Sequence, residues 1–224
     1  MNKVIVVAPH ADDEIIGCGA TIAKHIKNGD EVVIVIATNA SIGAPELFSS
    51  NQVQDIRGEA LAAHRSLGIT ETIFLEHPAP ALNAFPEYKI SVELSKIFSN
   101  FLPTHLYLPH PGDIHQDHKA IYRSALVAAR PQGNHIISNI YCYETLSETE
   151  WTPMHEKPFV PNHFVDVTAV FNSKITAMNC FASQLKSFPH SRSIETFEAL
   201  AKYRGATVGV ARAEAFIVER QILK

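Results

Sequence analysis

The chain has 224 residues, 46% of them hydrophobic and 19% charged, with a net charge of −4. That mixture supports a buried core, excludes an intrinsically disordered chain and suits one α/β domain over 1–224. No stretch is rich in Lys and Arg, and no apolar run exceeds six residues, so neither a nucleic-acid partner nor a membrane span, which needs roughly 20, is expected.

The first predicted element is Lys3–Ala8, a continuous β-branched run of the kind buried on both faces of a sheet. Its apolar part is too short for a signal peptide, and a cytoplasmic protein is expected. Glu14 to Asn28 carries apolar residues at helical spacing and stops at Gly29. Glu31–Ala37 is a second buried strand, and strand, helix, strand in this order make a parallel βαβ unit. A polar loop over Thr38–Gln52 leads to a helix at Asp55–Leu67 and a strand at Thr72–Leu75. Beyond a Pro-rich connection come a helix near Lys89–Asn100, a strand at His105–Leu108, a helix near Asp117–Ala129 and a strand at Asn139–Tyr143. The alternation then weakens. Glu144–Pro161 reads as an excursion, Phe164–Val167 as a short strand, Thr168–Phe181 and Ile194–Tyr203 as helices, and Ala213–Val218 as a last strand. The three cysteines are odd in number and unclustered, which excludes a disulfide framework and a Cys-rich zinc site.

Two motifs carry chemistry. The first strand runs into Pro9-His10-Ala11-Asp12-Asp13-Glu14, and the fourth into Pro109-His110-Pro111-Gly112-Asp113-Ile114-His115-Gln116-Asp117-His118. Both follow carboxyl ends of strands, where open α/β sheets bind ligands. If the second and third strands stack on one side of the first, the fourth pairs on its other side, and the two loops flank one crevice. His10 and Asp13 stand three apart at a strand-to-helix turn, and one histidine of the second loop completes three ligands with an open position, the layout of catalytic zinc. Asp12 then remains unligated, placed to take a proton from water.

Blander readings exist for each motif. Asp12, Asp13 and Glu14 also suit the first turn of a helix, and Asp117 an N-cap with His115 and His118 on the surface. His25 and His64 fall within helices and read as solvated or packed. His163 and Glu214 are left unassigned.

At the two motifs the sequence resembles the PIG-L/LmbE-like family of zinc-dependent N-acetylglucosaminyl deacetylases. The first motif matches Pro9–Glu14 with Ala11 in place of Pro, and His115-Gln116-Asp117-His118 matches the second, H-x-D-H. The resemblance implies a three-layer, Rossmann-like α/β fold with a mostly parallel sheet and helices on both faces. It implies one zinc ion per chain on His10, Asp13 and His118. It makes Asp12 the general base and later acid, His115 the group that stabilises the oxyanion, Asp117 the residue orienting it, and Arg57 a substrate contact. The implied reaction removes acetyl from a soluble N-acetylated sugar or sugar conjugate, with a homo-oligomer as one state open to the chain. Thr38-Asn39-Ala40 stands where many relatives have Thr-Asp-Gly, which alters a loop bordering the substrate. Two alternatives are an amidase for a larger acyl or conjugate amide and a non-catalytic sugar-binding protein of the same fold. A nucleotide-binding protein is disfavoured, because no Gly-rich turn follows the first strand and acids there repel phosphate.

Overall fold

The computed structural model describes residues 1–223 except 134 and 154. Its elements in chain order are β1 (Lys3–Ala8), α1 (Asp13–Lys27), β2 (Glu31–Asn39), the one-turn α2 (Ala40–Gly43), α3 (Ser50–Leu67) and β3 (Glu71–Pro78). There follow α4 (Glu87–Phe101), β4 (His105–Pro109), α5 (Gln116–Ala128), β5 (Asn139–Tyr143), β6 (His163–Asp166), α6 (Phe171–Met178), α7 (Ile194–Ala206) and β7 (Ala213–Gln221). The strands form one sheet in the order β3-β2-β1-β4-β5-β7-β6. From β3 to β5 all neighbours are parallel, and β7 runs antiparallel to both β5 and β6. β1 therefore has β2 on one side and β4 on the other, so the strand order reverses between β1 and β4, as the βαβ reading anticipates.

Alternation along the strands sorts the core into two layers. Val4, Val6 and Ala8 pack with Ile15 and Ile22 of α1 and Ala60 and Ala63 of α3. Ile5 and Val7 pack with Ile90 and Leu94 of α4 and Ile121 of α5. Full burial of each such aliphatic side chain is worth about 1.5–3 kcal/mol, and burial on both faces explains why the strands read as unbroken apolar runs. At Gly17 a Cβ would overlap the ring of Tyr143, so only glycine lets α1 approach β5 here. The Tyr143 hydroxyl donates to the Val7 carbonyl at 3.0 Å. This close contact holds the start of α1 against the end of β1.

The largest departures from the sequence reading lie between β2 and α3. α3 begins at Ser50, five residues before the expected start, because Ser49 and Gln52 form a reciprocal capping box. Glu144–Pro161 has neither helix nor strand among its described residues. No helix among the described residues is long and apolar enough to cross a membrane.

Candidate metal centre and catalytic cleft

The turn after β1 brings four acidic and imidazole groups into a small volume. Asp12 has φ 123°, a conformation costly for a side chain with a Cβ. It is held there on both sides. The Asp12 N–H donates to Glu14 Oε2 at 3.1 Å, and its carbonyl accepts from Ile15 and Ile16, opening α1. Glu14 is in turn fixed through Oε1 by His64 Nε2 at 3.0 Å, and His64 Nδ1 meets Thr72 Oγ1 at 2.8 Å. His64 is thus a buried support beneath the turn and not a solvated helix residue.

His10, Asp13 and His118 converge. Asp13 Oδ2 lies 3.3 Å from His10 Nδ1 and 3.3 Å from His118 Nε2. Donor atoms 2.0–2.2 Å from a tetrahedral ion stand roughly 3.3–3.6 Å apart, so the observed spacing fits one ion. Each imidazole has a carboxylate on its far nitrogen: Asp117 Oδ2 is 3.1 Å from His10 Nε2, and Asp113 Oδ2 is 2.8 Å from His118 Nδ1. Those contacts take the N–H of each ring and turn a lone pair inward, the orientation that suits a histidine metal ligand. Asp13 Oδ1 and His118 Nε2 are buried with no hydrogen-bond partner among the described residues, a costly state that a cation relieves.

The charge balance agrees. Burial works against a charged His10, yet its hydrogen bonds to Asp117 and Asp13 outweigh burial and raise its pKa to about 9. His118 is also held well above the ordinary range, against burial, by Asp13 and Asp113. A pocket whose carboxylates pull protons onto its histidines is short of positive charge. A divalent ion would supply that charge and displace the protons.

A second trio, His10, His115 and Asp117, is also close enough to share an ion. Its carboxylate is already engaged, with Oδ1 accepting from the Leu82 N–H at 3.0 Å and Oδ2 on His10. His115 is the N-cap of α5, and its Nδ1 accepts from the Asp117 N–H at 3.1 Å. That leaves the Nε2–H as the donor of this cleft-lining ring. Burial, with His10 and His118 beside it, lowers the His115 pKa to about 4, so the ring is neutral. Asp117, expected to orient His115, meets it through the main-chain N–H alone, while its carboxylate lies on His10. The N-cap of α5 is His115 and not Asp117. His110 belongs to neither trio among the described residues, and its Nε2 donates to the Lys157 carbonyl at 3.0 Å.

Arg192 was not singled out by the sequence. Its Nη1 donates to Asp12 Oδ2 at 2.8 Å and its Nε to Ser147 Oγ at 2.7 Å. Burial pushes the Asp12 carboxyl up to about 7, with Arg192 opposing the shift and Asp13 and Glu14 adding to it. Asp12, His10, His115 and Arg192 all line one cleft of about 450 Å³. Arg57 lines it too, but Nη1 is on Glu76 at 2.8 Å and Nη2 on the Leu75 carbonyl at 3.3 Å. His163 stacks on Tyr141 at 4.6 Å and Glu214 pairs with Lys174, and neither lines the cleft.

Comparison with known proteins identifies the fold and the family. The chain is 29% identical to the uncharacterized deacetylase YaiS of Escherichia coli K12 over 149 residues, 64% of this chain and 74% of that one. It is 38% identical over 83 residues to the 1D-myo-inositol 2-acetamido-2-deoxy-α-D-glucopyranoside deacetylase of Salinispora arenicola, a match to 33% of this chain and 27% of the relative. The conserved protein TT1542 of Thermus thermophilus superposes over 100% of this chain and 97% of its own, with a TM-score of 0.78 and 26% identity. The hydratase GalB of Pseudomonas putida shares the fold at a TM-score of 0.80 and 20% identity, over 100% of this chain and 98% of its own. The family profile described as PIG-L, GlcNAc-PI de-N-acetylase, matches residues 5–129, more than half of the chain, which therefore belongs to the PIG-L family of de-N-acetylases.

Proposed function

We propose that this protein hydrolyses the amide of an N-acetylated glucosamine-type sugar or conjugate, with one zinc ion on His10, Asp13 and His118. The observation that carries the reading is Asp12: a buried carboxylate beside the three converging ligands, raised in pKa yet touching none of them through a hydrogen bond of its side chain. When bound on these residues, the ion would polarise the amide carbonyl and make water more acidic. Asp12 takes a proton from the water that attacks the amide carbon, and later gives it to the departing amine as the C–N bond breaks. Arg192 holds the Asp12 carboxylate in place through Nη1. His115, neutral and with Nε2–H free to donate, stabilises the charge developing on the carbonyl oxygen. Asp117 and Asp113 keep His10 and His118 oriented.

The relatives' names support the substrate class, since they place the acetamido group on glucosamine. The test is acetate release from a panel of N-acetyl sugars by zinc-loaded protein. Turnover of at least one N-acetylglucosamine derivative, abolished in Asp12→Asn, is the expected result. Absence of acetate from the whole panel overturns it.

A further inference from the structure

The lining of the cleft divides by chemistry. His10, Asp12, His115, Glu148, Gln184 and Arg192 supply a polar end. The stretch from β2 to α3 and the end of β3 supply Leu47, Phe48, Val53, Ile56, Ala79 and Pro80. The two polar residues on this second wall, Thr38 and Arg57, are each partly engaged elsewhere. Thr38 donates its hydroxyl to the Pro9 carbonyl at 2.8 Å, and Arg57 gives two donors to Glu76 and Leu75 while its guanidinium lies over the Phe74 ring. A sugar laid here would find few partners for its hydroxyls beyond the remaining N–H groups of Arg57, which is unfavourable. An apolar group would instead cover surface that is now exposed.

That surface is held in place. Leu47 is 66% exposed and Phe48 37%, large apolar side chains at the mouth of a cleft. Their N–H groups both donate to the Ala44 carbonyl at 3.0 Å, and the capping box of α3 follows directly. At about 450 Å³ the cleft falls in the range of sites for drug-sized ligands.

We infer that the substrate is amphipathic: an alkyl or aryl group packs on Leu47, Phe48, Val53 and Ile56 while the N-acyl sugar end meets the acid and histidine groups. This rests on the deacetylase reading and narrows it. The apolar group belongs either to the aglycone or to a longer acyl chain, and the experiment separates the two.

Zinc-loaded protein is assayed on N-acetylglucosamine, on hexyl N-acetyl-β-glucosaminide and on N-hexanoylglucosamine. Each buried methylene is worth roughly fourfold, so one hexyl substrate is expected to exceed the parent sugar in kcat/KM by roughly tenfold or more. Which one does so tells where the apolar group sits. In Leu47→Ser/Phe48→Ser, shown to be folded by its melting curve, the ratio falls toward one. A ratio near one for both hexyl substrates in the wild type, or an undiminished ratio in the folded variant, overturns the inference and leaves the wall to a protein surface. If no sugar is turned over, the deacetylase reading fails alone. Calorimetric titration with hexyl and methyl N-acetyl-β-glucosaminides then decides the wall: tighter binding of the hexyl form upholds it, and equal or absent binding overturns it.

Discussion

Asp117 and Asp12 are both buried carboxylates near the two motifs, yet their contacts differ. Asp117 spends one oxygen on the Leu82 N–H and the other on His10, so on the proposed reading its part is to aim His10. Asp117→Asn is expected to weaken zinc binding by about 10–100-fold, read by competition with a chromogenic chelator. Asp12→Asn should leave that affinity close to the wild-type value while lowering turnover by ~10²-fold or more. The reverse pattern, with zinc lost from Asp12→Asn and turnover kept, would exchange their roles. The five residues His10, Asp12, Asp13, His115 and His118 are legible in the sequence because their chemistry is concentrated in two short motifs at strand ends. The orientation of Asp117 is not, for a geometric reason. Residues two apart in a helical turn point to different sides, so sequence closeness to His115 misleads about where its carboxylate goes. Arg192 is 180 positions from Asp12, in a segment without regular structure, and no local pattern marks it.

At the level of elements, the parallel half follows from the apolar runs, while the antiparallel edge depends on contacts that no periodicity displays. Glu214 of β7 accepts from the Ala20 and Thr21 N–H groups of α1 at 3.1 and 2.6 Å. Lys174 of α6 donates to the Ile16 carbonyl and to Glu214, each at 2.6 Å. One buried ion pair thereby ties β7, α6 and α1 together on the side of the sheet that carries the first motif. Breaking such a pair by removing one partner strands the other charge, so Lys174→Met is expected to destabilise the fold by about 3–5 kcal/mol in urea titration. Lys174→Met/Glu214→Gln should recover part of that loss, because the uncompensated carboxylate is gone. A single variant as stable as wild type would show that the tie carries little. The sequence left Glu214 unassigned since its partners are helix backbone groups nearly 200 positions away.

Across the whole molecule, the family match over residues 5–129 contains both motifs, whereas Glu148, Gln184 and Arg192 reach the cleft from beyond it. The proposed ligands therefore lie in the regular half of the chain, and part of the polar end of the cleft in the less regular half. Stability should respond to pH through a different place, the start of β4. Burial, with His25 and His163 nearby, depresses the His105 pKa to about 4. The unfolded chain binds this proton near its ordinary value of about 6.5. Stability is then full above that value and falls as pH drops toward 4, and His105→Gln should lose less Tm between pH 7 and 5 than wild type does. Metal linkage acts on the same global equilibrium with a larger expected effect. His10 and Asp13 come from the turn after β1 and His118 from α5, so an ion they share joins parts of the chain more than 100 positions apart. Unfolding separates those ligands, so an ion present at a thousand times its Kd stabilises the folded state by about 4 kcal/mol. For a chain of this length that corresponds to a rise in Tm of roughly 10 °C. Chelation of zinc-loaded protein should lower Tm by that order, and restored zinc should reverse it. In His10→Ala/His118→Ala the melting curve should ignore both treatments. A chelator-induced fall that persists in the double variant would place the stabilising ion elsewhere in the molecule.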